Sequence, residues 1–326
     1  MNGVRASGIP IVDLRDYLAG VEAGRAAAAA DVCAALEGIG FFGIANHGVP
    51  ERVVEAAFAA SQRFFDLPLA DKLAVRVNMG HRGYLPMADQ HRADAARPNL
   101  SESYLIGPDL AEDDPAVLEG RPLHGVNPWP DAPDGFRGAL GGFHAAMSAL
   151  GLRLLPLFET ALDLPDGFFA ARYRNPMGFV RSLHYPPAPA DAVPDQFGAA
   201  PHSDFGFITI LAQDDVGGLQ VQTRAGDWID APNLPGVFLV NIGDMLMRWT
   251  NDRFRSTVHR VLNAPGRDRY SLPFFFDPDF ETEVSCLESC TGPGNPPRYD
   301  PVVWGDFLTD SFNANHAYRK KAGRAS

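Results

Sequence analysis

The chain has 326 residues, 46% of them hydrophobic, enough for a sizeable core in one or two domains. Its formal net charge of −12 repels phosphate backbones, which argues against nucleic acid as partner or substrate and favours small molecules. Three cysteines and a start without a charged-then-apolar leader predict a cytoplasmic chain with reduced thiols, no disulfide framework and no membrane anchor.

The first third reads as mixed helix and strand. Residues 9–14 predict a short strand, 22–36 an alanine-rich helix, 41–45 a strand, and 51–65 a helix entered after Pro50. Asp66-Leu67-Pro68 ends that helix before another short one. The glycines of Gly38-Ile39-Gly40-Phe41-Phe42-Gly43 match a dinucleotide-binding pattern, but they follow a helix and lead into a strand, the reverse of the order that fingerprint needs. Gly38 and Gly40 read instead as a helix stop, and His47 in Asn46-His47-Gly48 as part of a local turn. A basic loop over 76–97 sets Arg76, His81, Arg82, His91, Arg92 and Arg97 against Asp89 and Asp94. Its first reading is a solvated surface; the sharper alternative is that one or more of these basic residues, with Arg82 and Arg92 as the pair that tests it, meets a carboxylate on the substrate when the loop covers the pocket.

Over 134–164, Phe136, Leu140, Phe143, Met147, Leu150, Leu154 and Leu157 recur at helical spacing, predicting a long helix that braces a sheet with one buried face. His144 lies on that helix and is no ligand candidate. The richest apolar segment, residues 26–36, is too short to span a bilayer. After residue 175 the pattern changes to short strands at 180–185, 208–212, 219–222, 237–242, 258–262 and 270–276, with loops over 186–201 and 288–301 and a closing helix over 304–318 followed by a basic tail. Many short strands without intervening helices favour a jelly roll or sandwich. The predicted class is therefore mainly β with flanking helices, organised as an N-terminal mixed region (1–120), a helical brace (121–174), a jelly-roll domain (175–285) and a C-terminal loop, helix and tail (286–326), all in one folding unit. Cys286 and Cys290 have no second pair at ligand spacing, so a structural zinc is not expected.

His202-Ser203-Asp204 lies where chemistry is most concentrated. If 201–210 is a strand, alternation puts His202 and Asp204 on one face and turns Ser203 away. His259 follows after enough chain for several strands to run out and return. Two histidines and one carboxylate suit a non-haem Fe(II) and leave coordination positions open. Beyond it, Arg269 and Ser271 share a face of a strand over 269–276, where a guanidinium fork and a hydroxyl suit a carboxylate. Arg269 also reads as a surface salt-bridge partner, although an apolar strand ending in Phe274-Phe275-Phe276 would bury that charge. The role of Ser271 leans on Arg269. Phe275 shares their face, either lining a pocket or filling core.

These residues, with Ile9-Pro10-Ile11-Val12-Asp13-Leu14, Gly40-Phe41-Phe42-Gly43-Ile44-Ala45-Asn46-His47-Gly48-Val49-Pro50, Val240-Asn241-Ile242-Gly243-Asp244 and Asn251-Asp252-Arg253-Phe254-Arg255-Ser256-Thr257-Val258-His259, resemble the isopenicillin N synthase-like group of Fe(II)- and 2-oxoglutarate-dependent oxygenases over most of the chain. The resemblance implies a double-stranded β-helix that binds Fe(II) through His202, Asp204 and His259 and the distal carboxylate of 2-oxoglutarate through Arg269 and Ser271. Tyr185, in Arg181-Ser182-Leu183-His184-Tyr185-Pro186-Pro187, matches a tyrosine that hydrogen-bonds the same cosubstrate, core packing being its other reading. Leu183 stands where many plant relatives have asparagine, so a supporting contact to the cosubstrate is missing or replaced. The implied reaction consumes O2 and 2-oxoglutarate, releases succinate and CO2, and hydroxylates, desaturates or cyclises a small organic molecule, one that carries a carboxylate on the sharper reading of the basic loop. Halogenating relatives leave the position of Asp204 empty for chloride, so halogenation is not expected. The alternatives are an Fe(II) oxidase of the same fold using no 2-oxoglutarate, and a non-catalytic ligand-binding protein.

Overall fold

The computed structural model describes residues 8–89, 97–190, 195–315 and Arg319. From the N-terminus run β1 (Ile11–Asp13), α1 (Arg15–Leu18), α2 (Gly24–Gly38), β2 (Phe41–Ala45), α3 (Glu51–Phe65), α4 (Leu69–Ala74), β3 (Gly83–Leu85), β4 (Glu102–Ile106), α5 (Pro115–Leu118) and α6 (Phe136–Ala161). Strands then dominate: β5 (Met177–Tyr185), β6 (Ala199–His202), β7 (Ile208–Gln213), β8 (Leu219–Gln222), β9 (Trp228–Asp230) and β10 (Phe238–Ile242). After α7 (Asp244–Trp249) come β11 (His259–Val261), β12 (Arg269–Asp277), β13 (Glu283–Val284), β14 (Val302–Val303) and α8 (Trp304–Asn315).

An eight-stranded sheet in the order β1-β2-β10-β7-β12-β5-β4-β3 and a four-stranded sheet in the order β6-β11-β8-β9 form the jelly roll. Strands β1 to β4 come from the first 120 residues and join the same sheet as β5, β7, β10 and β12. Alternation on the two longest strands divides core from cavity. On β12, Arg269, Ser271, Pro273, Phe275 and Asp277 line the cavity, while Leu272, Phe274 and Phe276 are fully buried on the opposite face. On β5, Phe179, Arg181, Leu183 and Tyr185 line the same cavity.

The outer face of the large sheet is covered by α6, which packs on α2, α3, β5 and β12. Gly151 lets it approach closely: a Cβ there would lie 2.7 Å from the Phe276 ring. Among the described residues this helix, rather than residues 26–36, is the one long and apolar enough to cross a bilayer. Its apolar residues are instead used in the core, with Leu140, Phe143, Met147 and Leu150 fully buried.

The elements expected over 22–36, 51–65 and 134–164 occur as α2, α3 and α6 with small end shifts. Six strands, β3, β4, β6, β9, β13 and β14, do not match the expected elements, and β6 begins inside the loop expected over 186–201. All five residues of β4 are buried, including Glu102 and Ser103. Glu102 is tolerated there because Lys72 Nζ lies 2.8 Å and His184 Nδ1 2.8 Å from its carboxylate. Those partners are remote in sequence, so the acid disguises a buried strand.

Candidate metal and cosubstrate site

Strand pairing places His259 of β11 directly opposite His202 of β6, with ring centroids 4.3 Å apart. Asp204 joins them by a different route from the one expected. β6 ends at His202 and β7 begins at Ile208, so residues 203–207 form a turn rather than part of a strand over 201–210. That turn is held by the junction between β10 and α7: Asp244 N donates to Asp204 O at 2.8 Å and Met245 N to Phe205 O at 3.0 Å. Only glycine fits at 243, since a Cβ would lie 2.4 Å from the Gly206 carbonyl oxygen. Ser203 does turn away, donating to Asp244 Oδ2 at 3.2 Å.

Asp204 Oδ1 lies 3.9 Å from His202 Nε2 and 3.8 Å from His259 Nε2. Among the described residues this is the only group of three histidine, cysteine or carboxylate side chains whose ligand atoms lie within 4.8 Å of one another. The other carboxylate oxygen, Oδ2, accepts from Thr209 Oγ1 at 2.6 Å and Asn241 Nδ2 at 2.8 Å, leaving Oδ1 to face the histidines. His202 Nδ1 sits 2.8 Å from Ala200 O, and His259 Nδ1 3.1 Å from Thr257 O. A carbonyl only accepts, so Nδ1 carries the hydrogen and Nε2 presents its lone pair to the common centre. Burial pushes the Asp204 carboxyl up, but His259, His202 and the bonds from Thr209 and Asn241 outweigh it and hold the group below the usual range. Two imidazole nitrogens and one ionised oxygen are a donor set that fits Fe(II) with positions to spare.

Arg269 and Tyr185 form the first rung of the β12–β5 ladder. The guanidinium is 1% exposed and lies over the Tyr185 ring, 4.8 Å from its centroid. Nη2 donates to Gln213 Oε1 at 3.3 Å, while Nε and Nη1 are buried without an acceptor among the described residues. A surface salt bridge is thus not its role. A buried guanidinium with two unmatched donors on a cavity wall is costly alone and fits an incoming carboxylate. Ser271, also buried, stands two residues along the same face, opposite Leu183. Leu183 packs with Tyr185, Leu219, Leu239 and Val261, so the position that is polar in many plant relatives belongs here to an apolar wall.

Beyond the triad the cavity encloses about 190 Å³, and Phe275 lines it as strand parity predicts. Its walls also include Leu105, Phe179, Phe205, Leu308 and Phe312, the last two from α8. The His81 ring stacks on Phe312 with centroids 4.1 Å apart. Both readings of Arg82 are corrected: it is 1% exposed and does not line the cavity, because Nη1 donates to the carbonyls of Gly80 at 2.8 Å and Leu123 at 2.7 Å. His91, Arg92 and Asp94 lie outside the described residues. Arg76 pairs with Asp89, and Arg97 is exposed. The second guanidinium on the cavity wall is Arg181, whose Nε donates to Ser103 Oγ at 3.1 Å. Sequence reasoning gave no role to Thr209, Asn241, Gln213, Arg181 or Phe312. Strand parity with Tyr185 is the signal that could have found Arg181. His47 serves its turn, accepting from Val49 N at 3.1 Å, and Cys286 and Cys290 belong to no metal-binding group among the described residues.

A jelly roll that gathers a two-histidine, one-carboxylate centre and an anion-binding arginine in one cavity defines a non-haem oxygenase. The chain belongs to the 2-oxoglutarate/Fe(II)-dependent oxygenase superfamily: the model of the 2OG-Fe(II) oxygenase superfamily matches residues 165–278, and that of the non-haem dioxygenase in morphine synthesis N-terminal region matches residues 9–132. It is 35% identical over 323 residues to the 2-oxoglutarate-Fe(II) type oxidoreductase hxnY of Emericella nidulans, covering 96% of this chain and 93% of that one. It is 38% identical over 332 residues to the clavatol oxidase claD of Penicillium crustosum, covering 95% and 97%. Among solved structures, a Neurospora crassa protein in complex with alpha-KG and thymine matches with a TM-score of 0.83 at 29% identity, covering 94% of this chain and 96% of that one. The chain is thus an oxidoreductase that uses Fe(II), 2-oxoglutarate and O2 on a small organic molecule.

Proposed function

We propose that His202, Asp204 and His259 hold the ferrous ion, that Arg269, Ser271 and Tyr185 hold the distal carboxylate of 2-oxoglutarate, and that the primary substrate carries an anionic group met by Arg181. The observation that carries the reading is a buried guanidinium with two unmatched donors in the same cavity as the sole His-Asp-His group among the described residues. Iron and cosubstrate, when bound, supply O2 activation coupled to release of succinate and CO2. The chain's own part is placement. Ala200 and Thr257 carbonyls fix the imidazole tautomers, Thr209 and Asn241 fix the carboxylate, and the leucines around Tyr185 keep water from the cosubstrate's buried end.

Arg181 supports the anionic substrate because it is a second cation on a wall that is otherwise largely apolar. The Neurospora crassa relative is solved with thymine and another neighbour, JOX2, with JA, so cavities of this kind take compact organic molecules. The contribution of β1 to β4 to the main sheet supports one folding unit rather than separable domains. A screen of small carboxylic acids against their amides tests the substrate reading. Acids are expected to stimulate succinate formation more than amides, and Arg181→Gln to erase that preference. Equal stimulation by acid and amide, or an unchanged preference in the variant, removes Arg181 from this role.

A further inference from the structure

We infer that His184 is a positioning residue for the cosubstrate cradle: clamped between Glu102 and Asp268 on the far side of the sheet, it fixes the strand ends that carry Tyr185 and Arg269. The inference rests on the assignment of Arg269 to the cosubstrate. The first rung of the β12–β5 ladder is Arg269–Tyr185 and the second Tyr270–His184. Alternation points the first pair into the cavity and the second away from it. On that outer face the His184 and Tyr270 rings stack 4.9 Å apart at 14°, and Phe65 at the end of α3 lies 5.5 Å from His184.

Both imidazole nitrogens face carboxylates. Nδ1 is 2.8 Å from Glu102 Oε1 on β4, and Nε2 is 2.7 Å from Asp268 Oδ1. Asp268 immediately precedes Arg269, and His184 immediately precedes Tyr185. One ring therefore ties three stretches of chain together directly behind the two cradle residues. It touches no part of the cavity, so it acts through them. Glu102 is anchored in turn by Lys72 Nζ from α4 at 2.8 Å and by the Tyr84 hydroxyl from β3. Asp268 is the exposed end of this set of contacts, and among the described residues its side chain has no hydrogen-bond or ion-pair partner other than His184.

A ring nitrogen can bond a carboxylate only by donating, so the double clamp requires the protonated imidazole. Burial works against that charge, but the bonds to Glu102 and Asp268 outweigh it and hold His184 above the usual histidine range. The remaining charged or titratable groups around it are Lys72 and Tyr84 behind Glu102, the Tyr270 phenol, which burial pushes up, and Asp66 near that phenol. The clamp is complete below the ordinary histidine pKa. As pH rises through the elevated folded value, one nitrogen loses its hydrogen and a carboxylate then faces a lone pair.

The test uses the iron-loaded full chain with three variants, Asp268→Asn, His184→Gln and Arg269→Met, measuring the KM for 2-oxoglutarate and kcat across a pH series and Fe(II) affinity by anaerobic titration. In the unaltered enzyme the KM for 2-oxoglutarate is expected to climb on the alkaline side. Asp268→Asn, at an exposed position that folding tolerates, should raise that KM on the order of three- to tenfold at neutral pH, leave kcat within about twofold, and flatten the alkaline rise. Fe(II) affinity should not move. His184→Gln, which cannot titrate, should flatten the profile in the same way. A KM and pH profile in Asp268→Asn indistinguishable from the unaltered enzyme, with Arg269→Met strongly impaired, overturns this inference alone. An unmoved KM in Arg269→Met overturns the cosubstrate assignment and this inference with it.

Discussion

Replacing Arg269 by methionine separates a binding role from a structural one, because the two roles predict opposite effects on the ligand-free protein. The guanidinium is 1% exposed, its only protein acceptor among the described residues is the neutral Gln213, and Nε and Nη1 have none. In the complex those two donors would meet the distal carboxylate. Hydrogen bonds to charged groups contribute about 1.5–3 kcal/mol each, and losing one partner of a buried charged pair costs roughly 2–5 kcal/mol. Arg269→Met should therefore weaken 2-oxoglutarate binding by about 3–4 kcal/mol, a factor of roughly 10² to 10³. Without ligand, by contrast, a buried charge that no carboxylate bonds directly, with Asp214 acting on it only at longer range, gives way to an apolar chain of similar length, so Tm should hold or rise. Calorimetric titration under anaerobic conditions with Fe(II), paired with thermal unfolding with and without 2-oxoglutarate, reads both. The reasoning fails if Arg269→Met binds the keto acid within about threefold of the unaltered protein, or if its ligand-free Tm falls steeply.

Asn241→Ala and Thr209→Val each remove one of the two bonds that hold Asp204 Oδ2 and should lower Fe(II) affinity about 10- to 100-fold in an anaerobic titration. Burial pushes the Asp277 carboxyl up to about 8, the bond from Phe207 N pulling it down and Asp204 pushing it up again. Between an unfolded value of about 3.9 and that folded value the native state holds a proton the unfolded chain has lost, so this group's contribution to stability falls as pH rises. Asp277→Asn should remove that slope and raise the Tm of the metal-free protein most at mildly alkaline pH; a Tm lowered equally at every pH would refute it. Phe312→Ala, which opens the α8 side of the cavity, should raise the KM for the stimulating substrate by about tenfold and leave that for 2-oxoglutarate unchanged, as measured by succinate formation.

The chemistry was more legible in the sequence than the reasons for it. Alternation along residues 269–276 correctly put Arg269, Ser271 and Phe275 on one wall, because a long central strand keeps its period of two. The same rule applied to 201–210 reached the right pairing of His202 and Asp204 for the wrong reason: β6 stops at His202, and the turn after it is shaped by backbone bonds from Asp244 and Met245, which no local pattern reveals. Arg82 misled because the acceptors that hold its guanidinium inside are the carbonyls of Gly80 and Leu123, invisible to any reading of side chains. β4 was hidden by Glu102, whose burial depends on Lys72 and His184. Phe312 and His81, remote in sequence, meet only once α8 folds over the cavity.

The central claim is that His202, Asp204 and His259 jointly bind one ferrous ion on which 2-oxoglutarate turnover depends. Iron stoichiometry and succinate formation, measured together on the unaltered chain and on Asp204→Ala, test it most directly. The account predicts one Fe(II) per chain with succinate released by the former, and loss of both in the variant without loss of fold. A variant that keeps both its iron and its succinate formation would contradict it.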